Sequence, residues 1–165
     1  MKVYRFVSPH FPDGLSCEGA WRNGGRWNSQ GVAVLYCASS ESLALLELRV
    51  HSPQPYPRTR WRFAIEVPGD ALTAVAKQEL PRGWDKLPPG PASKRFGDAW
   101  VAAGSSLGLL VPSVVASEEN NLILNPSHPR FQEVHVLSKQ RVVLDMRLYS
   151  PPTKRRSSIQ TKKKR

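Results

Sequence analysis

A glycine pair followed by an arginine is the first feature of this sequence that suits a charged ligand. Gly24 and Gly25 precede Arg26 inside the stretch GAWRNGGRWNSQGVAVLY, which runs from Gly19 to Tyr36. Glycine lets the backbone approach a ligand closely and adopts positive φ without strain, and a guanidinium presents a planar fork that matches phosphate oxygens. Loops are often rich in glycine for other reasons, but this combination predicts one half of a pocket for a phosphate-bearing ligand.

A carboxylate in an otherwise apolar helix is the second feature. The segment SSESLALLELRVH predicts a helix that contains Glu47. Leu43, Leu46 and Val50 are three or four positions from Glu47 and share its side of the helix, so we expect this side to be buried. A buried carboxylate is costly unless it is paired or hydrogen-bonded. Glu47 therefore either reaches solvent at a helix edge, pairing near Arg49, or is held in a dry pocket beside a cation.

Two polar groups lie in apolar strands. Arg5 is part of KVYRFV, and alternation along the strand places it on the solvent side by default. Tyr36 belongs to VAVLYCA, where a tyrosine is usually a core residue with a satisfied hydroxyl. The alternative for Tyr36 is a ring that stacks on a flat heterocycle bound in a pocket.

A serine and a group of turn residues complete the candidates. Ser113 follows Pro112 in VPSVV, where a small strand residue is its ordinary interpretation. The sequence lacks a serine, histidine and aspartate order that would indicate a hydrolase nucleophile. Asn121, Asn125 and His128 surround one turn in NNLILNPSHP. Asparagine side chains commonly tie such turns together, which is the default role of all three.

The charge is concentrated at one end of the chain. The net charge of the 165 residues is +11, but the segment from Pro151 onward, PPTKRRSSIQTKKKR, carries seven basic residues and no acid, which leaves the remainder at +4. We expect residues 150–165 to form a disordered basic tail. The tail is either a solvated end or a weak, salt-sensitive nucleic-acid contact.

Composition and spacing also limit the cofactors and the compartment. Cys17 and Cys37 lack metal-ligand spacing, and the four histidines form no cluster, so we expect no metal site. No apolar run is long enough for a membrane span, and the N-terminal residues lack a signal-peptide pattern. We therefore expect a cytoplasmic protein with reduced thiols.

The hydrophobic pattern predicts the elements that position these residues. We expect loops over residues 8–31 and 81–93. One helix is predicted over SSESLALLELRVH, with Ser39 or Ser40 as its cap. A second helix is predicted over SKRFGDAWVAAGSSLGLL, because Phe96, Trp100, Ala103 and Leu107 have helical spacing. Predicted strands are KVYRFV, VAVLYCA (Val32–Ala38), RWRFAIEV, LLVPSVV, NLILN, EVHVLS and RVVLDMRLY, the last two as antiparallel neighbours. Most of these strands lack βαβ spacing. The prediction is an α+β domain over residues 1–149, with a mixed, largely antiparallel sheet and two or three helices.

The order of these motifs resembles the RES domain, a family named for its arginine, glutamate and serine. The resemblance rests on SCEGAWRNGGRWNSQGVAVLYCA, then SSESLALLELRVH, then GLLVPSVVASEENNLILNPSHPRF, with LDMRL near the end. It covers about Lys2 to Tyr149. Matched to the family pattern, the arginine is Arg26, the glutamate is Glu47 and the serine is Ser113.

The resemblance implies a fold, an activity and a partner. RES proteins are typically toxins of bacterial toxin–antitoxin pairs, with a fold similar to that of ADP-ribosyltransferase toxins. They consume NAD by phosphorolysis or hydrolysis, or transfer ADP-ribose to a protein, and need no metal or further cofactor. The partner is typically an antitoxin with an Xre-like helix-turn-helix domain, so DNA is contacted only through it. We also expect a homodimer within a larger complex, and no membrane contact.

The resemblance also assigns roles to residues. Arg26, Glu47 and Ser113 are expected to be catalytic, with Ser113 as a hydrogen-bond donor to the ligand or to Glu47 rather than a nucleophile. Arg5, Arg26, Tyr36 and Asn121 are expected to bind NAD. Cleavage of the nicotinamide–ribose bond develops positive charge on the ribose carbon, as in glycoside cleavage, and a nearby carboxylate stabilises that charge.

A nucleic-acid-binding module is the alternative from another functional class. It would use Arg22, Arg26, exposed tryptophans and the tail. The modest charge of the rest of the chain and the lack of a known RNA- or DNA-binding motif count against it.

Overall fold

A single mixed sheet organises the chain. The computed structural model describes residues 1–11, 13–52 and 58–148, so the predicted tail at 150–165 lies outside the described residues. The strands follow the order β4-β5-β6-β2-β1-β3-β7 across the sheet. Their bounds are β1 Lys2–Val7, β2 Leu35–Ala38, β3 Thr59–Glu66, β4 Leu72–Ala74, β5 Gly108–Pro112, β6 Asn120–Leu124 and β7 His135–Val143.

Antiparallel pairing dominates the sheet. Only β4 and β5 are parallel among the described strands, and every other neighbouring pair is antiparallel. Fully buried aliphatic residues of β1, β2, β3 and β6 form the main core with Phe63. The predicted α+β class with a mixed, largely antiparallel sheet is confirmed.

The described residues contain three α-helices: α1 Glu18–Asn23, α2 Glu41–His51 and α3 Pro91–Ala103. Ser40 caps α2, because its Oγ accepts a hydrogen bond from the Leu43 N–H at 3.0 Å. α3 begins with Pro91 and ends at Gly104, whose φ of 57° is left-handed. That glycine explains why the helix stops before Leu107, which is fully buried but lies outside α3.

Several predicted boundaries are wrong. The predicted loop 8–31 contains α1, which buries none of its residues and so leaves no apolar periodicity to detect. β2 begins at Leu35 rather than Val32, and α3 begins at Pro91, inside the predicted loop 81–93. Ser113 lies just after β5 rather than within a strand.

The C-terminal strands also differ from the prediction. EVHVLS and RVVLDMRLY are not antiparallel neighbours, because one continuous strand, β7, runs through both and pairs with β3. The chain then forms a short 3₁₀ turn at Met146–Leu148. The strand β4 has only three residues and was not predicted.

The sheet opens between β1 and β2. These strands pair only at Tyr4 and Ala38, whereas β1 pairs with β3 along its whole length and β2 pairs with β6 along its own. α2 follows β2 directly and packs Leu43 and Ala44 against Ala38, beside Tyr4. The junction of β1, β2 and α2 therefore forms a cleft, and most of the predicted site residues lie around it.

Candidate active site

A cavity of about 660 Å³ occupies the cleft. Five of the six predicted site residues line it, namely Arg5, Arg26, Tyr36, Glu47 and Asn121. The sixth, Ser113, lies behind this wall, 3% exposed and in contact with Glu47. The structure thus brings together side chains from β1, the loop after α1, β2, α2 and β6.

Glu47 is held by the fold through one of its two oxygens. Its Oε1 accepts hydrogen bonds from Asn121 Nδ2 at 2.5 Å and from Ser113 Oγ at 3.0 Å. Its Oε2 lies 3.3 Å from Nε2 of His51, one helical turn further along α2. The side chain is 21% exposed, which agrees with the prediction of a carboxylate sheltered in a pocket.

The neighbours of Glu47 keep it ionised. Burial on its own raises the pKa of Glu47, but hydrogen bonds from His51, Asn121 and Ser113 outweigh it, and the net pKa lies below the usual value. The site therefore holds a negative charge at neutral pH. The cost of sheltering this charge is offset by donors that the fold supplies.

The apolar side of α2 is less buried than predicted. Leu43 is fully buried, but Leu46 is 41% exposed and Val50 is 57% exposed. Val50 lines the cavity. The Glu47 carboxylate is held by Ser113, in the loop between β5 and β6, and by Asn121 of β6.

Ser113 orients Glu47 from behind. Its Oγ donates to Glu47 and accepts from the N–H groups of Val115 and Ala116, at 3.0 and 3.1 Å. Because the backbone N–H groups occupy its acceptor side, the Ser113 hydroxyl directs its proton at Glu47. This geometry favours the donor role predicted for Ser113, with Glu47 as the acceptor.

Arg26 faces the same cavity from the glycine loop. Its Nη1 donates to the carbonyl oxygens of Trp84 and Lys86, at 2.7 and 3.0 Å. Burial lowers the pKa of Arg26 somewhat and the negative charge of Glu47 opposes this, but a guanidinium remains a cation in either case. Nη1 thus anchors the 84–86 loop, and Arg26 lines the cavity.

Arg5 is not on the solvent side of its strand. Its Nη1 donates to the carbonyl oxygens of Gly14 and Ser16, at 3.0 and 3.2 Å, and the residue lines the cavity. The default expectation for Arg5 is therefore wrong, because the loop after β1 folds back and supplies carbonyl partners.

Tyr36 ties the glycine loop to the sheet. Its hydroxyl donates to Asn28 Oδ1 at 2.8 Å and accepts from the Trp27 N–H at 3.0 Å. A Cβ on Gly25 would lie 2.6 Å from that hydroxyl. Glycine at this position therefore allows the backbone to pass close to Tyr36. Gly24 has a φ of 68°, as the prediction of positive φ requires.

Two residues of the site were not predicted. Asn28 is fully buried and uses its amide group to bond Ala20 and Val32 as well as Tyr36. His51 lines the cavity beside Glu47. The spacing of Glu47 and His51, four residues apart on a helix, was the available signal, since such residues are neighbours.

The turn residues divide between two roles. Asn121 reaches Glu47, whereas Asn125 Nδ2 donates to Val101 and its Oδ1 accepts from the Ser127 N–H. His128 accepts from the Arg130 N–H. The turn-stabilising role is thus confirmed for Asn125 and His128 but not for Asn121.

Neither a metal cluster nor a membrane helix is found in the described parts of the chain. No group of three or more potential metal-ligating His, Cys, Asp or Glu side chains occurs there, and none of the helices could cross a bilayer. Cys17 and Cys37 are free thiols. A second cavity of about 290 Å³ lies beside β4, and Arg130 on its wall is paired with Asp70 and Glu133.

The α+β fold is shared with a chain of a solved toxin–antitoxin complex. A crystal structure of the M. tuberculosis MbcT–MbcA toxin–antitoxin complex contains a chain that superposes with a TM-score of 0.71 at 23% identity, covering 90% of this chain and 86% of that one. The RES domain family model matches residues 2–145. The chain belongs to the RES-domain family of toxins.

Curated relatives agree with the family assignment. A protein of Sphingobium sp. (strain YBL2), named Prs ADP-ribosylating toxin, is 41% identical over 140 residues, which are 82% of this chain and 87% of the relative. A Toxin Res of Yersinia enterocolitica is 42% identical over 134 residues, 80% of this chain and 88% of the relative. A Toxin Res of Photorhabdus laumondii is 32% identical over 151 residues, 90% of this chain and 97% of the relative.

Proposed function

We propose that the chain is the toxin of a toxin–antitoxin pair and that it cleaves the nicotinamide–ribose bond of NAD. The proposal rests on one observation: an ionised, sheltered carboxylate, Glu47, lines the same cavity as the guanidinium of Arg26, and the two charges interact. A dinucleotide requires both signs of charge. Its diphosphate needs cations, and its reacting sugar carbon needs an anion.

Glu47 is the group that stabilises the reacting carbon. When the bond breaks, its electron pair passes to the pyridinium nitrogen, which leaves as neutral nicotinamide, and the ribose carbon becomes an oxocarbenium-like cation. Glu47 attracts this cation, and its Oε2 accepts a hydrogen bond from a ribose hydroxyl. A preorganised group of this kind contributes roughly 3–4 kcal/mol to the barrier reduction.

Arg26 and Arg5 bind the diphosphate. Each has Nη1 committed to backbone carbonyl oxygens, which fixes the guanidinium plane before the ligand arrives. The ring of Tyr36, tethered through its hydroxyl, presents a face on which nicotinamide stacks. Asn121 also lines the cavity, where its Nδ2 holds Glu47 and its side chain contacts the bound NAD.

The acceptor completes the reaction. Inorganic phosphate or water attacks the ribose carbon with an oxygen electron pair, and water loses a proton as it does so. A protein side chain is the alternative acceptor, and the ADP-ribosylating name of the Sphingobium relative favours including it. The antitoxin partner is proposed from the MbcT–MbcA complex and from the exposed apolar residues at the cavity mouth, Val50, Leu87 and Val115.

The test is the fate of NAD mixed with the purified chain, followed by mass spectrometry with and without inorganic phosphate. We expect nicotinamide release, with an ADP-ribose phosphate as the second product if phosphate is the acceptor and free ADP-ribose if water is. If NAD that is labelled in its ADP-ribose part leaves the label on a protein band, the reaction modifies a protein. Intact NAD under all these conditions would overturn the proposal.

Glu47→Gln separates this enzyme from the nucleic-acid-binding alternative, because that alternative does not use Glu47. For the enzyme, Glu47→Gln is expected to reduce nicotinamide release strongly, and Arg26→Ala to reduce it with a rise in KM, because a diphosphate contact is lost. A nucleic-acid module would instead show tight, steeply salt-dependent nucleic-acid binding that survives Glu47→Gln.

A further inference from the structure

His51 shares the cavity with Glu47 and has no role in the proposed reaction so far. Its Nε2 lies 3.3 Å from Glu47 Oε2, and its side chain is 67% exposed at the cavity wall. It belongs to the last turn of α2, so Glu47 and His51 lie on the same face of one helix.

The two oxygens of Glu47 have different partners. Oε1 is saturated by Asn121 and Ser113, which the fold holds in place. Among the described residues, Oε2 has His51 as its one polar contact. Oε2 is therefore the oxygen available to a ligand, and His51 is the side chain that sets its direction.

We propose that His51 is a positioning residue for the NAD cleavage proposed above, on which this inference rests: its ring N–H donates to Glu47 Oε2 and fixes the direction of that oxygen. An imidazole N–H is a suitable donor to a carboxylate oxygen, and the 3.3 Å distance between Nε2 and Oε2 brings the two groups together before a ligand binds.

The first test is the steady-state kinetics of nicotinamide release by the full chain and three variants. His51→Ala is expected to lower kcat about tenfold with a similar KM, because Oε2 is no longer oriented. His51→Gln, whose side-chain amide also donates an N–H, is expected to restore kcat to within about twofold of wild type. His135→Gln, at an exposed position on β7, keeps the wild-type kcat and KM.

The second test does not depend on activity. In histidine-selective NMR spectra, Glu47→Gln is expected to move the ring resonances of His51 and to leave those of His135 in place. Unmoved His51 resonances, or equal kcat values for His51→Ala and His51→Gln, would overturn the proposal. A wild-type chain that releases no nicotinamide overturns the proposed function and the kinetic role of His51 with it, while the NMR comparison still decides whether His51 contacts Glu47.

Discussion

At the scale of single residues, the site depends on hydrogen bonds that fix the direction of charged groups. Glu47 could be selected from the sequence because a carboxylate conflicts with an apolar helix. Its donors could not, because Ser113 and Asn121 are 66 and 74 residues away in the chain. The sequence resemblance grouped these residues, but only the folded arrangement, in which α2 packs against β1 and β2, shows that both donate to one oxygen.

Ser113→Ala is expected to move the acid limb set by Glu47 to higher pH. The lost hydrogen bond stabilises the charged form, so its removal raises the pKa of Glu47, and the carboxylate becomes protonated at a pH where the wild type is still ionised. The measurement is the pH profile of nicotinamide release by the variant and by the wild type. Ser117→Ala, at an exposed position, serves as the control, and identical profiles for the two variants would contradict this role of Ser113.

Tyr36→Phe separates the ring of Tyr36 from its hydroxyl. The change leaves Asn28 Oδ1 and the Trp27 N–H without their partner in a buried environment, which costs about 1–3 kcal/mol. Denaturant unfolding measures this loss. Tyr4→Phe, at a hydroxyl without a hydrogen bond among the described residues, is the matched control, and equal stability of the two variants would show that the tether contributes nothing.

At the scale of elements, the site depends on how closely α3 and two loops approach each other. Trp27, beside Arg26, stacks on Trp84 with ring centroids 5.8 Å apart, and its carbonyl oxygen packs against Gly97 of α3. The hydrophobic pattern predicted α2 and α3 because each buries an apolar stripe. It did not predict α1, which buries nothing, nor the loop contacts of Arg26, since backbone carbonyl partners leave no trace in residue type.

Gly97→Ala is expected to destabilise the protein by about 1–3 kcal/mol or more. A Cβ at this position would lie 1.8 Å from the carbonyl oxygen of Trp27, so the glycine loop or α3 must move. Gly19→Ala, inside α1 with open space around it, should instead stabilise by about 0.5–1 kcal/mol through helix propensity. Thermal unfolding of both variants checks this, and a neutral Gly97→Ala would mean that the loop does not depend on α3.

At the scale of the whole molecule, the opening between β1 and β2 makes the site possible. A continuous sheet would leave no room for a ligand, and this chain pairs the two strands at one point only. The sequence predicted the class of fold, since alternation and turn residues are local signals, but it divided β7 into two strands and missed the three-residue β4. The opening could not be predicted, because it is the absence of a pairing between two good strands.

Removal of residues 150–165 tests whether the basic tail takes part in the activity. Because the family match ends at residue 145, we expect nicotinamide release to be unchanged within about twofold. The tail carries most of the net charge, so any salt-sensitive binding to nucleic acid should be lost with it. Activity that falls with the truncation would place a functional role in the tail.

The most direct measurement is the rate of nicotinamide release by Glu47→Gln compared with wild type, with Glu41→Gln on the same helix as the control. Glutamine keeps the size and most hydrogen bonds of Glu47 but removes the charge. Loss of that charge is expected to reduce kcat by roughly 100-fold or more, whereas Glu41→Gln, which alters only a partly exposed pair with Arg62, stays close to wild type. A Glu47→Gln protein that releases nicotinamide at the wild-type rate would contradict the account.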